Sequence, residues 1–581
     1  MRKNYDLKSI RRIKRADGLK PKKVYAYTFR ALLECAVGRY GKREAYATWG
    51  DPDSVVTFEE AGRHARLVGL YLLEHGYRKG DKVILISEGN PGWMQAYLGI
   101  TSVGLVCVPI LPDFSATEVA NIIARSRAKG IFTNVRNYEK CCKSGFAGDW
   151  FRVEDLFAIP VDFQDGTAKT FASAPGVGLG TYKPGKDWKK EWEESEPEEE
   201  DIASLIFTSG TTGSSKGVLL THKNLVWNGE MNSTQFINPK PGMHVLSILP
   251  LSHVYEFSLT QLPVLMCGFF CTFLGRPPAP SVLMKALSDV KPGMLHTVPI
   301  LIEKVYKSQV GPVLKNKKLR RWLRWRVSRH FICRTAGKKI FLAMGGKMRL
   351  FGIGGSKLDP TVERFLRDAH FPYSTGYGLT ETSPLIAACS PVSREHHVGY
   401  AGRIVEGLDV RIADPDSQGV GEIQVKGPSV MLGYYEDEKL TRESFTSDGY
   451  FKTGDLGYKK GKWLSIRGRI KTMILGAAGE NIYPEAIENL FNNEPFVNES
   501  LVIPSGAGLT ALIKLDMESY AVVYAALHGP SPRPLPLIVK SVCDYANSEK
   551  SDQYQKFAAY TSCEFAKLLY ERFLPLEDDE D

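Results

Sequence analysis

No stretch of this sequence is apolar for long enough to cross a bilayer as a helix. The most apolar segment, LPVLMCGFFCTFL from Leu262 to Leu274, falls short of the roughly 20 residues a spanning helix needs and reads as a buried helix or strand. Cysteine is sparse and scattered. Among the 10 thiols, neither Cys141–Cys142 nor Cys267 with Cys271 has the spacing of a four-ligand zinc site or a disulfide framework, so free thiols in a reducing cytoplasm are expected. Neither charge sign dominates: 75 Lys and Arg face 65 Asp and Glu, a net +10. That excess suits an anionic ligand or membrane surface but is too diffuse for nucleic acid. The basic start, MRKNYDLKSIRRIKRADGLKPKK, lacks the apolar core and small-residue cleavage site of a secretory signal, so no export is expected. No internal repeat is apparent.

A chain of 581 residues exceeds the roughly 250–300 at which single cores stop growing, so at least two folding units are required. From Tyr27 to about Val135, helical spacing (Phe58–His75) alternates with short apolar runs (Asp81–Ser87, Gly104–Ile110), the pattern of a parallel sheet covered by helices. The acidic run Glu191–Asp201 reads as a solvated linker and a boundary. A second α/β region runs from Ile202 to about Arg394, followed from about Gly399 by short alternating strands with turn residues, a small β-rich subdomain. Beyond Arg469 comes a smaller mixed unit. Lys315–His330 is basic and carries Trp322 and Trp325; it suits either a membrane-surface helix or an ordinary surface helix.

The segment FTSGTTGSSKGVLLTH, Phe207–His222, follows a buried strand and precedes regular structure, so it reads as a loop between two elements. Gly210, Gly213 and Gly217 let backbone N–H groups approach a ligand. Thr208, Ser209, Thr211, Thr212, Ser214 and Ser215 add rotatable donors and Lys216 a positive charge, a combination suited to polyphosphate. The spacing is not that of Walker A, because Ser215 precedes Lys216 and Gly217 follows it.

Thr208–Gly217, T-S-G-T-T-G-x-x-K-G, resembles the phosphate-binding signature of the adenylate-forming superfamily: acyl-CoA synthetases, luciferases and peptide-synthetase adenylation domains. Four further segments resemble its motifs in order: YGLTET (Tyr377–Thr382), GEIQVKGPSVMLGYY (Gly421–Tyr435), TGDLG (Thr453–Gly457) and GRIKTMILGAAGENIYPEAIE (Gly468–Glu488). PLSHVYE (Pro250–Glu256), TVPILIEKVY (Thr297–Tyr306) and GKMRLFGIGGSKLDP (Gly346–Pro360) are nearest to long-chain fatty acyl-CoA synthetases. The resemblance implies an α/β fold: an N-terminal adenylation domain (1–469) of two α/β subdomains and a small β-rich subdomain, then a small mobile α+β C-terminal domain (470–581), atypical beyond about 505.

It also implies site residues. Thr208, Ser209, Gly210, Thr211, Thr212, Gly213 and Lys216 would hold ATP phosphates. Thr380 would contact the α-phosphate, and Glu381, with Thr208, would hold Mg2+ as oxygen ligands. Tyr377 would stack on adenine, with Gly378 beside it in the nucleotide site, opposite Gly354, Gly355 and Ser356, and Asp455 would accept the ribose hydroxyls. Arg469 would lie near ribose and phosphate, or else form a surface ion pair. His253 would lie near the substrate carboxylate or be structural, and Trp227 would line an acyl channel or belong to the core. Lys471 would be a hinge, with Gly479 and Glu480 on the thioester-forming face.

The implied reaction is ATP-dependent formation of a fatty acyl-AMP, followed by transfer to coenzyme A with release of AMP. The partners are then a fatty acid and coenzyme A, or an acyl carrier protein in an alternative ligase, and the setting is cytoplasmic with peripheral contact on the inner membrane surface left open. The chain departs from the family at its closing lysine motif, P-x-T-x-x-G-K-I or P-T-x-K-I-K-R. Lys550, Lys556 and Lys567 stand in other contexts. Loss of one preorganised charge typically slows such a step about 100- to 1,000-fold, so an adenylation-impaired nucleotide- or lipid-binding protein is the other alternative.

Overall fold

The structure, a computed structural model, describes residues 26–160, 166–208, 215–237, 239–315, 326–391, 396–475, 481–492, 497–505 and 508–515. The chain is α/β, as expected. Described residues up to Arg411, with Gln424–Thr453 and Lys459–Ser465, form one unit; Ile412–Ile423, Gly454–Tyr458 and the described residues from Ile466 onward form a second.

The larger unit contains two sheets. The first has nine strands in the order Gly433–Tyr434, Lys216–Thr221, Ile202–Thr208, Val106–Pro109, Lys82–Ile86, Gly130–Thr133, Asp149–Arg152, Phe157–Ile159 and Val177–Gly178. Its parallel centre is made of the short apolar runs, buried almost throughout, because helices cover both faces of such a sheet. Helix Phe58–Glu74 begins where Thr57 Oγ1 accepts from the Glu60 N–H and the Glu60 carboxylate accepts from the Thr57 N–H, a reciprocal cap that fixes the start of the periodic segment.

The second sheet has a parallel centre in which Tyr373–Gly378, Leu350–Ile353, Met294–Thr297, His244–Ser247, Phe270–Phe273 and Glu44–Thr48 are neighbours. Its core packs Leu246, Leu295, Phe351, Ile353, Phe365 and Tyr373 together. Leu262–Leu274 divides into helix Leu262–Cys267 and strand Phe270–Phe273, joined at Gly268 in the left-handed region (φ +67°) and buried as expected.

Two organisational expectations are corrected. The regions before and after the acidic run do not make separate sheets: the Glu44–Thr57 hairpin belongs to the second sheet through pairs such as Tyr46 with Cys271, and Ile202–Thr208 belongs to the first through Cys107 and Ser204. Nor is Glu191–Asp201 a solvated linker. Helix Trp188–Glu194 buries Trp192, whose ring lies 3.9 Å under the Arg30 guanidinium. Asp201 pairs with Lys79 at 2.6 Å, Glu200 with Lys223 at 2.7 Å, and Glu199 accepts the Tyr27 N–H at 3.0 Å. The acidic side chains answer cations that lie far away in sequence.

In the basic stretch, described structure resumes in helix Arg326–Ala343; Trp322 and Trp325 lie outside the described residues. Among the described residues, no helix is long and apolar enough to cross a membrane. In the smaller unit, hairpin Val497–Ser505/Gly508–Leu515 packs Val497, Val502, Ala511 and Ile513 against Ile487 and Phe491 of helix Pro484–Asn492.

Candidate active site

Strands Ile202–Thr208 and Lys216–Thr221 run antiparallel with Thr208 opposite Lys216, so the glycine- and hydroxyl-rich segment is the connection of a hairpin. Ser209, Gly210, Thr211, Thr212 and Gly213 lie outside the described residues. The stem is held from one side by Arg125, at the end of helix Ala116–Ser126. Its Nη1 donates to the Ser215 carbonyl at 2.5 Å and to Ser215 Oγ at 3.2 Å, while its guanidinium carbon lies 5.2 Å from the centre of the Phe207 ring. One cation therefore touches both ends of the loop.

From the other side the stem pairs with Gly433–Tyr434, through Val218 with Tyr434 and Leu219 with Gly433. Lys216 Nζ lies 5.3 Å from the centre of the Tyr434 ring, and Tyr434 Oη donates to Glu381 Oε1 at 2.9 Å. The Met431 N–H donates to the Glu381 carbonyl at 2.8 Å. Lys216 and Glu381, proposed for separate roles, thus meet at one aromatic ring.

Glu381 sits in a single helical turn, Thr380–Thr382, directly after strand Tyr373–Gly378. Thr382 Oγ1 accepts from the Leu379 N–H at 3.0 Å, and Asn228, on buried helix His222–Gln235, donates to the Leu385 carbonyl at 3.0 Å and accepts the Leu385 N–H at 3.3 Å. Gly378 has no room for a side chain, since a Cβ there would lie 1.7 Å from the Pro384 carbonyl oxygen. The turn is tight enough to leave Tyr377, Thr380 and Glu381 half-buried.

The neighbouring parallel strand Leu350–Ile353 ends in Gly354, Gly355 and Ser356, so these and Tyr377–Glu381 share the C-terminal edge of the sheet, the side on which open α/β sheets bind ligands. The Gly354 N–H donates to the Thr297 carbonyl at 3.1 Å, and a Cβ on Gly354 would lie 2.8 Å from the Tyr255 ring. Gly355, at φ +88°, and Ser356 are exposed. His253 precedes Tyr255 at the same edge. Its side chain is exposed, yet the surrounding protein lowers its imidazole pKa while the Asp113 carboxylate opposes that shift, the combination expected on a concave surface. Behind it Glu256 is buried, its carboxyl pushed up to about 8 by desolvation, with the Ser247 hydroxyl at 2.6 Å. Trp227 is buried, and Gly407 packs against its ring.

In the smaller unit, Asp455 is buried and its Oδ1 lies 3.2 Å from Arg469 Nε, while the Ile470 N–H donates to the Gly454 carbonyl at 2.9 Å. Asp455 and Arg469 are therefore brought together, with Lys471 exposed two residues on. Gly479, Glu480, Lys550, Lys556 and Lys567 lie outside the described residues.

Arg125, Asn228, Thr382 and Tyr434 were not legible as site residues. Thr382 and Tyr434 stand within quoted motifs, but each acts through a backbone or carboxylate partner that no spacing reveals. No group of three or more His, Cys, Asp or Glu among the described residues could hold a metal. The residues present nonetheless fit Mg2+ of the nucleotide-bound kind, which takes one or two carboxylates and completes its shell with phosphate oxygens and water; Glu381, one oxygen of which is already oriented, is such a carboxylate.

Residues 33–435 match the family model described as AMP-binding enzyme. Among curated proteins, the chain is 29% identical over 501 residues to "Long chain acyl-CoA synthetase 7, peroxisomal" of Arabidopsis thaliana, covering 80% of this chain and 69% of that one. It is 27% identical over 512 residues to "Long-chain-fatty-acid--CoA ligase 1" of Homo sapiens, covering 81% and 70%. Solved structures share the fold. ATP-bound MatB from Rhodopseudomonas palustris superposes with a TM-score of 0.66 at 22% identity, covering 93% of this chain and 100% of that one. The o-succinylbenzoate coenzyme A synthetase MenE from Bacillus subtilis, in complex with AMP, gives 0.63 at 22%, covering 84% and 88%. With more than half its length matched by one family model, the chain belongs to the AMP-binding enzymes.

Proposed function

We propose that this chain is an AMP-forming long-chain fatty acid–coenzyme A ligase. The observation that carries the reading is the convergence of the phosphate-loop stem and Glu381 on Tyr434, which gathers a cation and a metal-competent carboxylate beside one nucleotide edge; the similarity to long-chain-fatty-acid–CoA ligases sets the substrate class. Joining two anions calls for charge neutralisation and positioning more than a protein nucleophile.

In this reading Thr208, the loop after it and Lys216 bind the β- and γ-phosphates, Thr380 the α-phosphate, Tyr377 and Gly354–Ser356 the adenine, and Asp455 the ribose. Bound Mg2+, on Glu381, supplies charge neutralisation at the phosphates. His253 and Arg469 orient the fatty carboxylate and the α-phosphate. A carboxylate oxygen attacks the α-phosphorus, the bond to the bridging oxygen breaks, and pyrophosphate leaves. The small domain, from residue 470, then turns about Lys471 and presents Gly479 and Glu480. The thiol of coenzyme A attacks the acyl carbonyl, its proton passes to solvent, and AMP leaves. None of the eight described cysteines is in a disulfide, which supports a reducing, cytoplasmic setting.

ATP–pyrophosphate exchange driven by palmitate is the test. Exchange above the acid-free background, and palmitoyl-coenzyme A formed with one AMP per thioester, are expected. No exchange with fatty acids of any chain length, with ATP still bound, would overturn the reading, and thioester formed on a carrier protein but not on coenzyme A would replace the acceptor.

A further inference from the structure

Tyr434 carries opposite charges at two places on one side chain: the Lys216 ammonium near its ring, 5.3 Å from the centre, and the Glu381 carboxylate on its hydroxyl at 2.9 Å. Its own place is set independently of both. The Tyr434 N–H donates to Thr441 Oγ1 at 2.8 Å, and Thr441 Oγ1 donates in turn to the Asp437 carbonyl at 2.9 Å. On either side, the Leu432 N–H donates to the Leu219 carbonyl at 3.0 Å and the Tyr435 N–H to the Gly217 carbonyl at 2.7 Å. Gly433, at φ +156°, lets the strand lie against Thr441, whose Cγ2 would be 2.7 Å from any Cβ there. The ring is thus part of the hairpin stem, and Glu381 comes to it.

We propose that Tyr434 is a positioning residue that orients Glu381 for Mg2+ and couples metal binding to phosphate binding at Lys216. This rests on the reading of Glu381 as the metal carboxylate. A carboxylate with a free side-chain torsion offers either oxygen to a metal. With Oε1 engaged by the phenol, Oε2 becomes the oxygen presented, and the ordering is made before the metal arrives. Because the same ring lies beside Lys216, movement of Glu381 toward a metal and of Lys216 toward phosphate act on one rigid group.

The test is calorimetric binding of ATP to the full chain, with Mg2+ and with EDTA. Tyr434→Phe keeps the ring near Lys216 and removes one oxygen. It is expected to bind ATP like the wild type in EDTA but to lose about tenfold of the tightening that Mg2+ gives, the worth of a hydrogen bond to a charged group. In a Glu381→Gln background the same change is expected to have no further effect. Thr441→Val, which loosens the strand and leaves the phenol intact, should lose a smaller part of the Mg2+ increment, and thermal unfolding of both variants checks that they fold. A full Mg2+ increment in Tyr434→Phe, or an additive loss in the double variant, would overturn the coupling while leaving the proposed function standing. No Mg2+ increment in the wild type would remove Glu381 from the metal and overturn both.

Discussion

Asn228 sits within a buried helix and uses both ends of its amide on the backbone that follows the Glu381 turn. Replacing it with alanine leaves the Leu385 N–H and C=O without that partner in a buried place, which costs about 1–3 kcal/mol. Asn228→Ala should therefore lower the urea midpoint and slow exchange together. Nothing in the sequence marks this residue, since a polar side chain in a helix is usually solvated, whereas Glu381 was legible because YGLTET, Tyr377–Thr382, resembles a motif of the adenylate-forming superfamily.

Glu256 makes a different prediction. Its folded-state pKa, about 8, lies above the ordinary carboxylate value, so the folded protein holds this proton more tightly than the unfolded chain does. Stability from this group is fully present below the unfolded pKa and is lost as pH rises to about 8, beyond which it is constant. Glu256→Gln cannot ionise. Thermal midpoints measured from pH 5 to 9 should fall more steeply for the wild type than for the variant, with the gap widening up to about pH 8 and then holding. Parallel curves would place the carboxyl in contact with water.

Among the elements, the hairpin stem is clamped from outside by Arg125, whose Nη1 reaches both the Ser215 carbonyl and hydroxyl while its guanidinium lies near the Phe207 ring. Lysine can supply the charge but not the flat face that lies near Phe207. Arg125→Ala should raise the KM for ATP about tenfold, the scale of one charge-assisted hydrogen bond, and Arg125→Lys should recover only part of it, with kcat little changed in either. An unaltered KM would make the contact a packing detail. The loop was legible as a connection between regular elements because glycines and hydroxyls interrupt two apolar runs. Arg125 was not, because it stands 90 residues away from Ser215 in sequence, on a helix whose period shows only which face is buried. The acidic run misled for a related reason: composition registers the carboxylates but neither the Lys79 and Lys223 contacts that fold them in nor the Arg30–Trp192 contact within the same run.

At the scale of the molecule, alternating strands and helices were enough to indicate the fold class, but not which strand joins which sheet, since a strand carries no address beyond its apolar faces. The Glu44–Thr57 hairpin and the Ile202–Thr221 hairpin each pair with the sheet whose other strands lie mainly across the acidic run. Fragments divided near residue 196 should therefore not refold separately: the piece 1–195 would expose the edge of Val106–Pro109 that Ile202–Thr208 covers. Circular dichroism and denaturant unfolding of each piece would show this as a loss of cooperative transitions, and two independent cooperative transitions would contradict it.

The strand Gly433–Tyr434 adds a consequence in time. The first sheet starts at Lys82 and is closed, on the Lys216–Thr221 edge, by residues more than two hundred positions later. On a ribosome that adds about 5–20 residues per second, that edge stands open for roughly ten seconds or longer, with Val218 and Leu219 offering unpaired backbone to any passing strand. Chaperone dependence during synthesis, and the yield of soluble protein when translation is slowed between residues 221 and 433, are therefore governed by when a two-residue strand leaves the exit tunnel.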